Sequence, residues 1–447
     1  MARLGMFCLP WMGHLNPFAT LAHELIRRGH QITFFQVADF AEQVRSRGFQ
    51  FEAFGERDYP AGTFPERYRE MSRLDGLPAS RAGLNILITQ ADALFSTARP
   101  LIEKARLDLW VVDHMDYAAS TLAAHMQAPF VSVIVGLMRH QEDGVPGFSG
   151  ELYTNDPVVL ERDRRFNEAI LATSKPFRDY IGAYRIKAGM GPFSFDSLWS
   201  GLAQITQQPA EFEFPRRNLP ACFHFTGPFA RRSDRPPTPF PWDRLNGKPL
   251  IYASFGTTQN RNRHLYDAVA KATADLDSQV VLSLGGAETV GLPQELPGNL
   301  LVVPIAPQLE ILEQAALLIT HAGMNSTLES LAAGVPMVAV PIAHDQHGVS
   351  ARIEWTGSGV RIPASECEPA RLRHAIQSVL GEARFRESAR RFQRIIAEGD
   401  GLNRAADIIE RVAATGRAVL REESRPASFA ASQDQKTAAV ERRRKAP

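Results

Sequence analysis

Cysteine is scarce: Cys8, Cys222 and Cys367 are the three in 447 residues. Their wide spacing excludes a disulfide framework, a zinc pair and a CxxC redox motif, and points to a reducing, cytoplasmic setting. Net charge is scarce too. Lys and Arg number 50 against 49 Asp and Glu, leaving +1, so no whole-protein field exists to hold nucleic acid or an anionic membrane. Apolar runs stay short; the most apolar, 129–138 and 335–343, fall well below the roughly 18–20 residues of a membrane span and read as buried strands. The chain opens with one basic residue, Arg3, ahead of an apolar run that Pro10 ends, so no secretory leader is expected. No G-x-G-x-x-G follows the first strand, where Gly13 stands alone, which disfavours a nicotinamide or flavin enzyme.

What the chain has is an ordinary globular composition, 44% hydrophobic and 22% charged, over a length that suits two domains. Residues 4–9 predict a strand, 10–17 a loop and 18–28 a helix stopped by Gly29. Strand-like runs at 31–37, 109–112 and 130–135 follow, and this alternation implies a parallel sheet covered by helices on both faces. Residues 55–90 and 140–200 are less periodic and are expected to build substrate walls. Proline then crowds 226–241 beside Arg231, Arg232 and Arg235, marking an interdomain linker. A second alternation has strands at 250–254, 280–284, 300–303, 317–320 and 337–341, with closing helices at 371–380 and 387–414. The predicted fold class is α/β, with domains at 1–225 and 246–420, a Pro-rich linker at 226–245, and a disordered tail at 421–447 that has hardly an apolar anchor.

The most informative segment is 305–348, IAPQLEILEQAALLITHAGMNSTLESLAAGVPMVAVPIAHDQHG. Its strand 317–320 delivers His321 and Gly323 into a turn, and Asn325, Ser326 and Thr327 follow as N-cap-type residues opening a helix that holds Glu329. The free amides and macrodipole of that helix N-terminus form an anion site, Gly323 lets the backbone come close, and His321 can donate to a phosphate oxygen. Glu329, four residues after Asn325 on the same helix face, can accept from ribose hydroxyls. Phosphate and ribose together suggest a nucleotide. His344 and His347 flank Asp345, but a His pair without a third ligand is a poor metal site, and no metal is expected. In the first half, the loop 10–17 places His14 at the carboxyl edge of the sheet, where α/β ligands bind.

With APQLEIL, THAGMNSTLES, AGVPMV and HDQ, the segment resembles the signature region of the UDP-sugar glycosyltransferase superfamily, family 1. The resemblance spans about residues 4–415. It implies the GT-B architecture, two Rossmann-like domains facing each other across a cleft, with acceptor chiefly in the first and nucleotide sugar in the second. It also implies that Ile305 and Gln308 address the uracil, that His321, Asn325 and Ser326 hold the diphosphate, that Glu329 holds ribose, and that Asp345 and Gln346 grip sugar hydroxyls. Plant-type members place a Trp where this chain has Ile305, so uridine is not separated from thymidine. Residues 254–258, SFGTT, resemble the family's SFGT loop, whose amides and small hydroxyls, here Ser254 and Thr257, approach the diphosphate. The GHLNP stretch matches a GH-x-x-P setting whose His, here His14, serves as general base on the acceptor hydroxyl, a task that suits a neutral imidazole near pH 7. Such a base needs a carboxylate to fix its tautomer; Asp113 is placed like the family's Asp, with Asp116 as the alternative.

The implied reaction is an inverting, metal-independent and cofactor-free transfer of a hexose, glucose foremost, from UDP-glucose or a similar UDP-sugar to a hydroxyl of an apolar small molecule. Residues 209–229 resemble bacterial members, including zeaxanthin glucosyltransferases, so phenolic, terpenoid or carotenoid alcohols are the expected acceptors. Phe49, Phe51, Phe54, Met138, Phe148, Met190, Phe193 and Phe195 are expected to line their cleft. A lipophilic acceptor implies loose membrane contact without a transmembrane segment. A sugar-nucleotide epimerase of the same fold and a non-catalytic partner protein are the rivals, and neither needs a His14–Asp113 pair. Asp275-Leu276-Asp277 matches a metal-binding DxD but stands at the wrong sheet edge.

Overall fold

The computed structural model describes residues 1–71, 76–258, 262–286 and 297–421; the expected tail lies, from 422 on, outside the described residues. In the first half β1 (Arg3–Phe7), β2 (Gln31–Val37), β3 (Gln50–Phe54), β4 (Leu109–Asp113), β5 (Phe130–Ile134), β6 (Gln204–Thr206) and β7 (Phe223–Phe225) pair in the order β3-β2-β1-β4-β5-β6-β7. In the second, β8 (Leu250–Ser254), β9 (Gln279–Ser283), β10 (Leu300–Val303), β11 (Ala315–Thr320), β12 (Met337–Ala339) and β13 (Gly359–Arg361) pair in the order β10-β9-β8-β11-β12-β13. Every pairing is parallel. Helices cover both faces, so central strands are apolar throughout: Leu109 to Val112 in β4 and Leu250 to Ala253 in β8 are all buried. Burying each such side chain is worth about 1.5–3 kcal/mol, more than any strand propensity among them.

Each sheet reverses its strand order beside its first strand, between β1 and β4 and between β8 and β11, and a crevice opens there at the carboxyl ends. Asp113 ends β4 and His14 follows β1 at one crevice; Ser254 ends β8 and His321 follows β11 at the other.

Several expectations need correction. The first helix is Met12–Arg27, six residues earlier than the expected start, so His14 stands on its first turn and Pro17 lies inside it. The stretch 140–200 contains the helices Pro157–Thr173 and Lys175–Lys187, and Gly76–Ala105 is a 30-residue helix. Phe49 and Phe51 pack with Phe34 and Phe18 in the core beneath the first helix, and Phe54 joins Phe7 and Phe35 on the other face of the sheet, because β3 pairs with β2 and its aromatics face helices. None of the three lines a cleft. Asp275 and Asp277 are held outward by Arg373 and Lys248. Among the described residues no helix is long and apolar enough to cross a membrane.

The closing helices divide between the halves. Ala383–Gly399 packs on the second half, but the chain breaks at Asp400, in left-handed conformation, and Gly401–Thr415 returns to the first. There Leu402, Ala405, Ala406, Ile409 and Val412 share a core with Leu15, Phe18 and Leu21. The assignment of 246–420 to one domain therefore fails at its last helix.

A buried ion pair joins the halves. Arg352, fully buried on the helix Gln346–Trp355, donates through Nε to Glu213 at 3.0 Å and through a second bond from Nη2. Its guanidinium lies 4.2 Å from the Phe214 ring centroid, and it also donates to the carbonyls of Gly348 and Pro146. Burial by itself raises the Glu213 pKa, but the charges of Arg352 and Arg216 outweigh it and bring it below its ordinary value. Glu213→Leu strands both guanidinium groups and should lower stability by about 3–5 kcal/mol, seen as a lower urea midpoint at unchanged slope. Adding Arg352→Met should recover part of that loss.

Candidate active site

The base side is built by β1, β4 and the helix Met12–Arg27. Trp11, in extended conformation, is the N-cap of that helix and brings no side-chain bond, so His14 is fixed by what its ring meets. Nδ1 of His14 is bonded to Oδ2 of Asp113, the last residue of β4, and the Trp11 ring stands edge-on with its centroid 5.3 Å away. Asp113 is fully buried and also accepts from the amides of Met115, at 3.0 Å, and Leu9, at 3.4 Å. Burial alone would lower the His14 pKa; the Asp113 charge and hydrogen bond, helped by Asp345 and Asp116, outweigh it and hold His14 above 6.5. Burial likewise opposes ionisation of Asp113, yet His14 and His114 keep it well below the usual carboxylate range.

Asp116 is placed elsewhere. Its carboxylate caps the helix Tyr117–His125, accepting from the Ala119 amide at 2.9 Å, and burial pushes its pKa up to about 7. The carboxylate touching His14 is Asp113.

The opposite side is built by the turns after β8 and β11. His321 is clamped between two glycines: a Cβ on Gly256 would lie 2.7 Å from its Nε2, and one on Gly323 would lie 2.6 Å away. Gly256 also has φ +79°, and Ala322, between His321 and Gly323, has φ 64° although it carries a side chain. Burial takes the His321 pKa down to about 4, so the ring is neutral at pH 7 and donates as a neutral imidazole. The helix behind it is Met324–Ala332, whose N-cap is Gly323; Asn325, Ser326 and Thr327 lie inside its first turns instead of capping it. A glycine cap leaves the first amides without a side-chain acceptor, the condition for an anion site.

The other residues of this half are bound into a network. Gln308 opens a short helix, accepts from the Tyr252 hydroxyl at 3.2 Å, and donates to Ser326 Oγ at 3.2 Å and to Glu329. Glu329 is buried and paired on its other oxygen with Arg235 of the linker. Ile305 is 54% exposed, an apolar platform beside this network. Ser254 ends β8 and is buried, whereas Thr257 is exposed. Gln346 turns its side-chain oxygen to the amides of Ile342 and Ala343, both at 2.8 Å, which closes the loop that presents Asp345. Among the described residues no three His, Cys, Asp or Glu side chains converge as a metal-binding group.

The halves meet at these residues. Pro17 has no N–H, so the Gly13 carbonyl one turn earlier lacks its helical donor; Asn325 Nδ2 donates to it at 2.6 Å. Asn325 Oδ1 accepts from Gln207 at 2.6 Å, and Asp345 accepts from the Leu137 amide at 2.9 Å. His14 thus lies next to the residue that meets the donor-side helix. Gln207 and Arg235 were not legible beforehand. Each lies in a Pro-flanked stretch without a motif, and only the crowding of arginines in the linker hinted at one of them.

Two switch-point crevices facing each other, one with a His–Asp pair and one with an uncapped helix, define a GT-B glycosyltransferase, and the comparisons agree. The UDP-glucoronosyl and UDP-glucosyl transferase model matches residues 194–413. The chain is 31% identical over 425 residues to a zeaxanthin glucosyltransferase of Pantoea ananas, covering 94% of this chain and 98% of that one. It is 28% identical over 429 residues to a 4'-demethylrebeccamycin synthase of Lentzea aerocolonigenes, covering 92% and 99%. Of solved structures, the glycotransferase of kitacinnamycin superposes with TM-score 0.73 at 24% identity, over 92% of this chain and 98% of that one. A calicheamicin glycosyltransferase does so with TM-score 0.69 at 23%, over 92% and 98%. The chain belongs to the family 1 UDP-glycosyltransferases and is an enzyme.

The glycine clamp is testable. Gly323→Ala forces the His321 ring aside without a φ penalty, since Gly323 has φ −64°. If that ring serves the diphosphate, UDP affinity measured by calorimetry should fall about tenfold or more while the melting temperature moves little.

Proposed function

We propose that the enzyme transfers a hexose, glucose foremost, from a UDP-sugar to a hydroxyl of an apolar small molecule, with inversion and without a metal, in the cytoplasm. The observation that carries this reading is the His14–Asp113 pair set one residue from the Gly13–Asn325 contact, so that a base and an uncapped helix N-terminus address the same point from opposite sides. Nδ1–H of neutral His14 donates to Asp113, which leaves the Nε2 lone pair for the acceptor proton. As that proton leaves, the acceptor oxygen bonds to the anomeric carbon from the face opposite the diphosphate, and the bond to the diphosphate oxygen breaks. The departing charge is met by the first amides of the helix Met324–Ala332 and by neutral His321, which supports a metal-free site. Glu329 receives the ribose, Ile305 and Gln308 the base, and Asp345 and Gln346 the hexose. The retained His–Asp pair favours a transferase over an epimerase or a non-catalytic partner. The buried, unpaired Cys8, Cys222 and Cys367 suit a reducing compartment. Phe193 and Phe195, packed around Tyr117, support an apolar acceptor wall.

The test is mass gain of alcohol acceptors with UDP-glucose. His14→Ala should lower kcat by about 10²–10⁴ with UDP affinity nearly unchanged; near-normal turnover removes His14 from the mechanism. Because the base must be neutral and its pKa is raised, kcat/KM should fall on acidification through a limb above pH 6.5. Asp113→Asn, which deletes the charge that holds that pKa up, should move the limb to lower pH as well as slow the reaction. Activity should persist in EDTA; loss on chelation with recovery on adding magnesium or manganese counts against this assignment.

A further inference from the structure

Beside the turn after β4 stands a cation, Arg139, that the proposed transfer does not use. Arg139 follows β5 by five residues, two past Leu137, whose amide bonds Asp345. Its Nε lies 3.1 Å from Sδ of Met115, two residues past Asp113, and its guanidinium carbon lies 4.9 Å from the Phe148 ring centroid. It is half-buried and, among the described residues, pairs with no carboxylate. Arg235, by contrast, is paired with the buried Glu329, and Arg216 and Arg352 share the buried Glu213.

Buried polar atoms without hydrogen-bond partners lie on the residues either side of Met115. His114 is 1% exposed on its side chain; its Nδ1 faces Asp113 at 3.6 Å, while its Nε2 has no hydrogen-bond partner. The hydroxyl of Tyr117 is buried without a partner, as is Nε of Arg178. His114 and Tyr117 flank Met115, whose Sδ meets the Arg139 guanidinium, on the turn that joins β4 to the helix Tyr117–His125. A buried polar atom left without a partner is destabilising, and a ligand that satisfies it recovers that cost.

We propose that Arg139, with His114 and Tyr117, binds a carboxylate carried by the acceptor, so that the preferred acceptor is an amphiphile: an apolar body bearing both the reacting hydroxyl and an acid. Met115 and Phe148 flank the guanidinium on apolar surfaces, and a guanidinium in such surroundings makes strong, bidentate bonds to a carboxylate. The acid binds and orients; the hydroxyl remains the nucleophile, and its proton goes to His14. This rests on the proposed transfer to an apolar alcohol and narrows it.

The experiment uses matched hydroxy acids and their methyl esters on phenyl, naphthyl and long-chain alkyl bodies, with UDP-glucose as donor and the full-length enzyme. The acid should exceed its ester in kcat/KM by about 10–100-fold. Arg139→Gln should bring that ratio close to one, and Arg139→Lys, which keeps the charge but loses the fork, should leave an intermediate ratio. UDP binding by calorimetry checks that each variant is folded. Esters and acids used equally well by the wild-type enzyme, or a ratio unmoved in Arg139→Gln, overturn the assignment while leaving transfer to alcohols standing. Turnover of neither class overturns both. A preference for UDP-glucuronate over UDP-glucose that vanishes in Arg139→Gln gives the guanidinium to the donor sugar instead, and conversion of an acid that has no hydroxyl makes the carboxylate the nucleophile; either result refutes the proposal.

Discussion

A carboxylate removed from water is stable as an anion only if its surroundings answer the charge, and the first half of this molecule is arranged around one such group. Asp113 sits at the end of a strand buried on both faces. Two backbone amides and the His14 ring answer it. The order of dependence is sequence to strand to charge. The apolar run 109–112 is continuous because helices cover it, that burial strips Asp113 of solvent, and the stripped charge then determines which nitrogen of His14 keeps its proton. Moving Asp113 by one residue would point it into a helix face, since alternate strand residues face opposite sides of the sheet.

On the facing half the same physics is handled by exchange. Asn325, Glu329 and Asp345 each hold protein partners: the Gly13 carbonyl and Gln207, Arg235 and Gln308, and the Leu137 amide. Hydrogen bonds traded for hydrogen bonds change free energy little, so a nucleotide sugar gains chiefly where it brings charge to amides and surface to Ile305. Three of those partnerships, with Gly13, Gln207 and Leu137, reach across the cleft. Substrate binding and the contact between the halves therefore draw on the same side chains, and the two are thermodynamically linked.

Residues with local causes were legible in the sequence. Parallel strands announce themselves as short apolar runs, so β2, β8 and β10 fall where composition places them, and the turn carrying His321 and Gly323 follows from a strand meeting a helix. Residues with distant causes were not. Pro17 argues against a helix in any local reading, yet the helix runs through it because Asn325, 308 residues further on, supplies the donor that proline cannot. The helices Pro157–Thr173 and Lys175–Lys187 have polar faces laced by ion pairs such as Arg164 with Glu161 and Lys175 with Asp179, and their apolar stripes are thin. Strands β6, β7 and β13 span three residues each, too short for any period to show. Asp113 and Asp116 looked alike as letters; the backbone decided between them, one at a strand end and the other at a helix cap.

The return of the last helix to the first sheet has a mechanical consequence. The polypeptide passes between the halves twice, and the two passages lie back to back: a Cβ on Gly401 would come within 2.6 Å of the Gly227 Cα, and the Gly399 position lies 3.6 Å from the Thr226 carbonyl by the same construction. Two covalent tethers pinned at one spot behave as a pivot. A few degrees of turn there leave the glycines in touch, and the displacement grows with distance from the pivot, so the mouth where His14 faces Asn325 is where the same small rotation becomes a change in gap.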